Sequence, residues 1–115
     1  MALMATTRRY TFRSVHSLDV GVHSEKVHGH QFSLEVSFDR ANIADVDRIV
    51  QEKVVAALDA HDITRVLSPA TGEVIVEWIH ARLAESPISK NILGVAIQET
   101  RKNRFVSARS VVQII

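Results

Sequence analysis

The chain has 115 residues, 46% of them apolar and 23% charged, with a net charge of +1 and no cysteine. These values describe one soluble globular domain, 1–115, with a modest core. They exclude a broad electrostatic case for nucleic acid or an anionic membrane surface, a bilayer-spanning apolar run of about 20 residues, disulfides and thiolate chemistry.

The opening MALMATTRRY has too short an apolar run for a signal peptide, and the lack of cysteine fits the cytoplasm. RRYTFRSVH alternates, with Tyr10, Phe12, Ser14 and His16 on one face, and predicts a first strand. Residues 17–27, SLDVGVHSEKV, read as a loop. A second strand over about 29–38 separates Phe32, Leu34, Val36 and Phe38 from Gln31, Ser33, Glu35 and Ser37. One apolar face and one polar face are typical of an antiparallel sheet.

The period then changes. Ile43, Val46, Ile49/Val50, Val54 and Ala57/Leu58 recur every three to four residues, as in an amphipathic helix, with Asn42 or Asp45 as its cap. HDITRVLSPAT is a linker. A second helix follows over about 72–85, with Val74, Ile75, Trp78, Ile79 and Leu83 as its stripe and Thr71 as N-cap. ILGVAIQET predicts a third strand with Leu93, Val95, Ile97 and Glu99 on one face. RKN is a turn, and RFVSARSVVQII is the last strand. The order ββααββ predicts an α+β fold, two helices on one face of a four-stranded antiparallel sheet. The other face of the sheet then needs a cover, and self-association is one answer.

His28 and His30 share the face of Phe32, Leu34, Val36 and Phe38. A half-buried strand would ordinarily finish that face with apolar residues. Two imidazoles one residue apart lie about 6.6 Å apart along a strand, from a rise of about 3.3 Å per residue, and can converge on one metal ion. With no thiolate available, any metal must be held by His, Asp or Glu. His16 ends the neighbouring strand with the parity of Phe12 and is the candidate third ligand. Three histidines with an open position suit a catalytic zinc site better than a closed structural one. The bland alternative is a set of hydrogen-bonded histidines at strand ends. His23 and His80 read as a loop residue and one on the polar side of a helix.

Five segments in order resemble the 6-pyruvoyl-tetrahydropterin synthase / 6-carboxy-tetrahydropterin synthase family. YTFRSVHSL resembles its first strand, and VHGHQFSLEV its H-G-H strand. IADVDRIVQEKVVAALD resembles its first helix, and SPATGEVIVEWIHARL the N-P-T-x-E segment opening its second, with one extra residue between Pro69 and Thr71. VAIQET resembles the strand whose glutamate grips the pterin. The resemblance implies the tunnelling fold: trimeric barrels that stack into a hexamer, a dimer of trimers, with active sites between protomers. It implies zinc as cofactor, with His16, His28 and His30 as ligands. It implies that Glu99 anchors a pterin-like ring and that Thr71 contacts it. A carboxylate suits that edge, because it accepts two parallel charge-assisted hydrogen bonds from an amine and a ring N–H.

Two family positions differ. The family has a cysteine four residues before H-G-H, where this chain has Ser24, whose hydroxyl is a poor proton acceptor. Glu25, one residue on, resembles the glutamate of a variant branch. The family's Asp-His pair after the first helix reads LDAHDIT here, so that Asp59 is kept, Ala60 takes the histidine's place and His61 stands one residue later. The loop before H-G-H is also short for the family. The leading expectation is a homolog that binds a pterin-like or purine-like ring through Glu99, with the standard synthase activity lost or altered. The alternative is an active zinc-dependent lyase acting on a dihydroneopterin-triphosphate-like substrate, with Glu25 or His61 as substitute base and Asp59 supporting proton transfer. A third possibility is a structural oligomer without ligand.

Overall fold

The computed structural model describes residues 5–16, 19–20, 23–24, 28–59, 67, 71–99 and 103–108, and the side chains of all of these except 15–16, 19–20, 23–24, 28–30 and 108. Four strands form one antiparallel sheet in the order β1-β4-β5-β6: β1 Thr6–His16, β4 His28–Phe38, β5 Ile92–Glu99 and β6 Asn103–Ala108. Two short strands, β2 Asp19–Val20 and β3 His23–Ser24, pair with each other inside the stretch expected to be a loop. The expected last strand is present over Asn103–Ala108, and the rest of that expectation lies outside the described residues.

β4 organises the sheet. It pairs with β1 through Phe12↔Phe32, Tyr10↔Leu34 and Arg8↔Val36, and with β5 through Phe32↔Glu99, Leu34↔Ile97 and Val36↔Val95. Its inward row Phe32, Leu34, Val36 and Phe38 is buried almost completely. Side chains alternate in a strand, so this row sets which residues of both neighbours face the helices. A register shift between Ser37 and Phe38 brings Ile92 opposite Phe38. Ile92 therefore enters the core and Leu93, expected on that face, is only half-buried.

The first helix begins at Ile43, capped by Asn42, whose side chain accepts from the Ala44 N–H at 2.8 Å. It runs through an α segment Ile43–Val50, a π segment Gln51–Val55 and a last α turn Ala56–Leu58. The wide turns shift the phase of the apolar stripe. Val46, Ile49, Val50, Val54, Val55 and Leu58 are buried, while Ile43 at the start is 45% exposed, against expectation. The second helix, Gly72–Ala84, packs on β5 and β6. It buries Gly72, Ile75, Val76, Ile79 and Leu83, so its inner face is turned toward Val76 and leaves Val74 and Trp78 half-buried. Arg82 lies over the Trp78 ring at 5.3 Å and donates through Nε to the Lys53 carbonyl at 3.1 Å, joining the second helix to the π segment.

Polar contacts fix the layers. Arg8 grips Asp47 of the first helix with two hydrogen bonds, 3.1 Å and 2.9 Å, and the Tyr10 hydroxyl donates to the same carboxylate at 2.6 Å. Arg8 and then Tyr10 hold the Asp47 carboxyl below its ordinary value of 3.8. Tyr10 itself is pushed upward, first by burial and then by its bond to Asp47. On the sheet face away from the helices, Glu35 takes Arg104 at 2.7 Å and Arg9 at 2.8 Å, a charge ladder across the sheet. These two guanidiniums, Arg104 foremost, hold the Glu35 carboxyl below its ordinary 4.5.

Gly72 has a steric reason to be glycine, since a Cβ there would overlap the ring of Phe105 on β6. Alanine is usually the better helix former by about 1 kcal/mol. Here the overlap wins, and Gly72→Ala should destabilise by about 1–3 kcal/mol, the usual range for overpacking. Thermal unfolding followed by circular dichroism would show a lowered midpoint, partly restored by Phe105→Leu in the same chain. A midpoint at or above that of the parent protein would contradict the close packing. The depressed carboxyls also give a pH dependence. Each contributes stability that is fully present above its ordinary value, 3.8 for Asp47 and 4.5 for Glu35, and is lost as pH falls through the lower folded value. Asp47→Asn should therefore narrow the gap between urea midpoints measured at neutral pH and at pH about 2–3, and an unchanged gap would show that the Arg8 grip carries no pH-linked stability.

Candidate functional site

One end of the sheet changes character along β1 and β4. The Phe12 and Phe32 rings stack with centroids 5.0 Å apart and an interplanar angle of 14°. Beyond them the inward register positions become polar. Ser14 stands opposite His30, and His16 opposite His28. The three histidines thus occupy one corner of one sheet face by register, with His28 and His30 on β4 and His16 across on β1. Their side chains lie outside the described residues, and among the described residues no group of three His, Asp or Glu could hold a metal ion. As a donor set the three histidines fit zinc, which is bound by neutral imidazole nitrogen.

Glu99 ends β5 opposite Phe32 on one side and Asn103 on the other. It is half-buried and continues the row Val95, Ile97 on the helix-facing side. From Phe32 the next position of the same face along β4 is His30, so Glu99 and His30 are diagonal positions on adjacent strands. Such diagonal pairs are spaced about 7–8 Å apart. The carboxylate and the H-x-H pair therefore share a face and an end of the sheet.

Thr71 is the N-cap of the second helix, as expected, with Oγ1 accepting from the Val74 N–H at 3.4 Å. It adjoins Gly72, which stands against Phe105; Phe105 pairs with Ile97, two residues before Glu99. Asp59 follows the last turn of the first helix and is exposed, with Oδ1 accepting the Arg13 N–H at 2.9 Å. Glu25 and His61 lie outside the described residues, and Ser24 and His23 are described only as backbone of β3.

Two polar residues carry contacts that the sequence reading passed over. Ser14 is 3% exposed and donates Oγ to the Leu58 carbonyl at 2.9 Å. Its signal was a hydroxyl within the otherwise aromatic inward row of Tyr10 and Phe12. His80, expected on a polar helix face, is half-buried, with Nδ1 2.7 Å from Ser107 Oγ on β6. The turn of the helix toward Val76 brings His80 to the sheet, and the apolar stripe read from Val74 and Trp78 concealed it.

Thr71→Ala should lower stability by about 0.5–2 kcal/mol through loss of the cap, while Thr71→Ser keeps it. Urea titration of the two variants checks this. Equal midpoints would mean that the 3.4 Å contact contributes nothing to the helix.

Among the described residues no helix is long and apolar enough to cross a membrane. A search among curated proteins finds no match to the chain. Among solved structures, the chain is similar to the Caenorhabditis elegans 6-pyruvoyl tetrahydropterin synthase, at 18% identity and a TM-score of 0.81 over 96% of this chain and 98% of that one. It is similar to the Plasmodium falciparum synthase at 14% identity and a TM-score of 0.69, over 91% and 98%. It is also similar to the Plasmodium vivax synthase at 16% identity and a TM-score of 0.69, over 94% and 99%; that protein is also known in variants of a glutamate described as its catalytic residue. These likenesses carry the fold, an α+β tunnelling fold. Residues 5–110 match the family model for 6-pyruvoyl tetrahydropterin synthase, and the chain belongs to that family.

Proposed function

We propose that the protein, as a single domain spanning 1–115, binds a pterin-like or purine-like ring through Glu99, with Thr71 beside the ring and the standard synthase activity lost or altered. What supports the reading is the register that sets Glu99 diagonal to His30, on the same face and at the same end as His16 and His28. Glu99 would accept two hydrogen bonds from the amine edge of the ring, and a half-buried carboxylate gains more from such charge-assisted bonds than one in open water. His16, His28 and His30 would hold zinc through neutral imidazoles. When bound, zinc supplies Lewis-acid polarisation of oxygens on the ring's side chain. The assembly that fits this reading is a homo-oligomer of the tunnelling fold, a hexamer made as a dimer of trimers, in the cytoplasm.

The loss or change of activity follows from residue chemistry. Ser24 and Ala60 stand where the family carries its cysteine and histidine. Loss of one general acid or base typically lowers a rate by about 10²–10⁴. A second reading keeps an enzyme: a zinc-dependent lyase acting on a dihydroneopterin-triphosphate-like substrate. Glu25 or His61 then serves as base, and Asp59 supports proton transfer through Oδ2, its Oδ1 being engaged with Arg13. The glutamate described as catalytic in the P. vivax protein favours Glu25 for that role.

Titration with neopterin or biopterin, followed by pterin fluorescence, should show saturable binding that Glu99→Ala weakens at least tenfold, about 1.4 kcal/mol. Absence of binding, or equal binding by Glu99→Ala, would overturn the leading reading. Turnover of dihydroneopterin triphosphate that is abolished by Glu25→Ala or His61→Ala would replace it with the enzymatic one.

A further inference from the structure

The end of the first helix meets β1 just where the strand leaves the apolar core. Leu58 is the last helical residue, and its carbonyl is one of those a helix C-terminus leaves without an intrahelical partner. Ser14 on β1 supplies the donor from a buried position. Asp59, the next residue, turns to extended backbone at φ −66° and ψ 131°, which ends the helix. Its Oδ1 takes the N–H of Arg13 at 2.9 Å, across a sequence separation of 46 residues. β1 is an edge strand with β4 as its partner in the sheet. An edge strand presents N–H groups that water or another strand would otherwise take. At Arg13 the acceptor is Asp59.

The position of these contacts gives them a consequence. Arg13 and Ser14 lie between the Phe12–Phe32 stack and the His16↔His28 pair. Inside the stack, register is enforced by the buried apolar row. Past it the inward positions are Ser14, His30, His16 and His28, and apolar burial no longer specifies the pairing. A slip of one residue moves every side chain of a strand to the other face. At this end, such a slip would set His16 on the opposite face from His28 and His30.

We propose that Asp59 is a positioning residue that acts through the β1 backbone. As an acceptor at Oδ1, with the Leu58 carbonyl on Ser14 beside it, Asp59 latches the histidine-bearing ends of β1 and β4 in the register that sets His16 opposite His28. The inference rests on the reading of His16, His28 and His30 as one ligand set.

The test is hydrogen exchange on the full chain, with zinc affinity measured in parallel by competition with a chromophoric chelator. Asp59→Ala should speed exchange of the amides of Arg13 to His16 and His28 to Gln31 about tenfold, the factor set by loss of a hydrogen bond of about 1.4 kcal/mol, and weaken zinc by a similar factor. Amides of Leu34 to Ser37 should keep their protection, showing that the fold is intact. Asp59→Asn retains an acceptor and should restore both exchange and zinc affinity to near the parent values. Unchanged exchange in Asp59→Ala overturns the latch, as does Asp59→Asn behaving like Asp59→Ala. Exchange that responds as expected in a protein that takes up no zinc in any form upholds the latch and overturns the ligand set.

Discussion

The stack of Phe12 on Phe32 is the hinge between two regimes of the sheet. On one side of it, β4 carries Leu34, Val36 and Phe38 into a core closed by both helices, and burial alone fixes the pairing. On the other side, the same face continues as Ser14, His30, His16 and His28. Glu99 sits at the boundary, opposite Phe32 itself. A packed apolar platform thus carries a polar corner at its end, held there by Asp59 on the Arg13 N–H and Ser14 on the Leu58 carbonyl. That division suits a binding site, because functional groups are held most accurately on regular elements backed by packed side chains.

The two helices hold the platform from above in different ways. The first is fastened to β1 at both ends, by Asp47 with Arg8 and Tyr10 and by Leu58 and Asp59 with Ser14 and Arg13. The second is fastened to β6 by the Gly72–Phe105 contact and by His80 with Ser107. The far face of the sheet has the Glu35 ladder with Arg9 and Arg104, and Val106 60% exposed near the edge. Charges, not an apolar row, line its middle, which keeps the helix-facing row the one strongly specified choice of register.

Much of this architecture was legible in the chain because burial leaves a period. The two-residue alternation of Phe32 to Phe38 and the helical spacing of Val46, Ile49 and Val50 each name an inner face without further information. What remained hidden were departures from regular period. The bulge at Ser37/Phe38 exchanges Leu93 for Ile92, and the π segment buries both Val54 and Val55. Neither leaves a mark in a pattern that assumes constant pitch. The β2–β3 pair is too short for a period to register. At the site, the histidine spacing and the parity of Glu99 were readable, since they follow from strand alternation. The partners of Asp59 and Ser14 were not, because contacts between residues more than 40 positions apart depend on how the helix end docks on β1.

The central claim is that Glu99 and the three histidines form one recognition surface at this end of the sheet. A crystal structure of the protein with zinc and a pterin tests it most directly. The account predicts the amine edge of the ring on the Glu99 carboxylate within hydrogen-bond distance, and an anomalous zinc signal shared by His16, His28 and His30. A ring bound elsewhere, with Glu99 turned to bulk water, would contradict it.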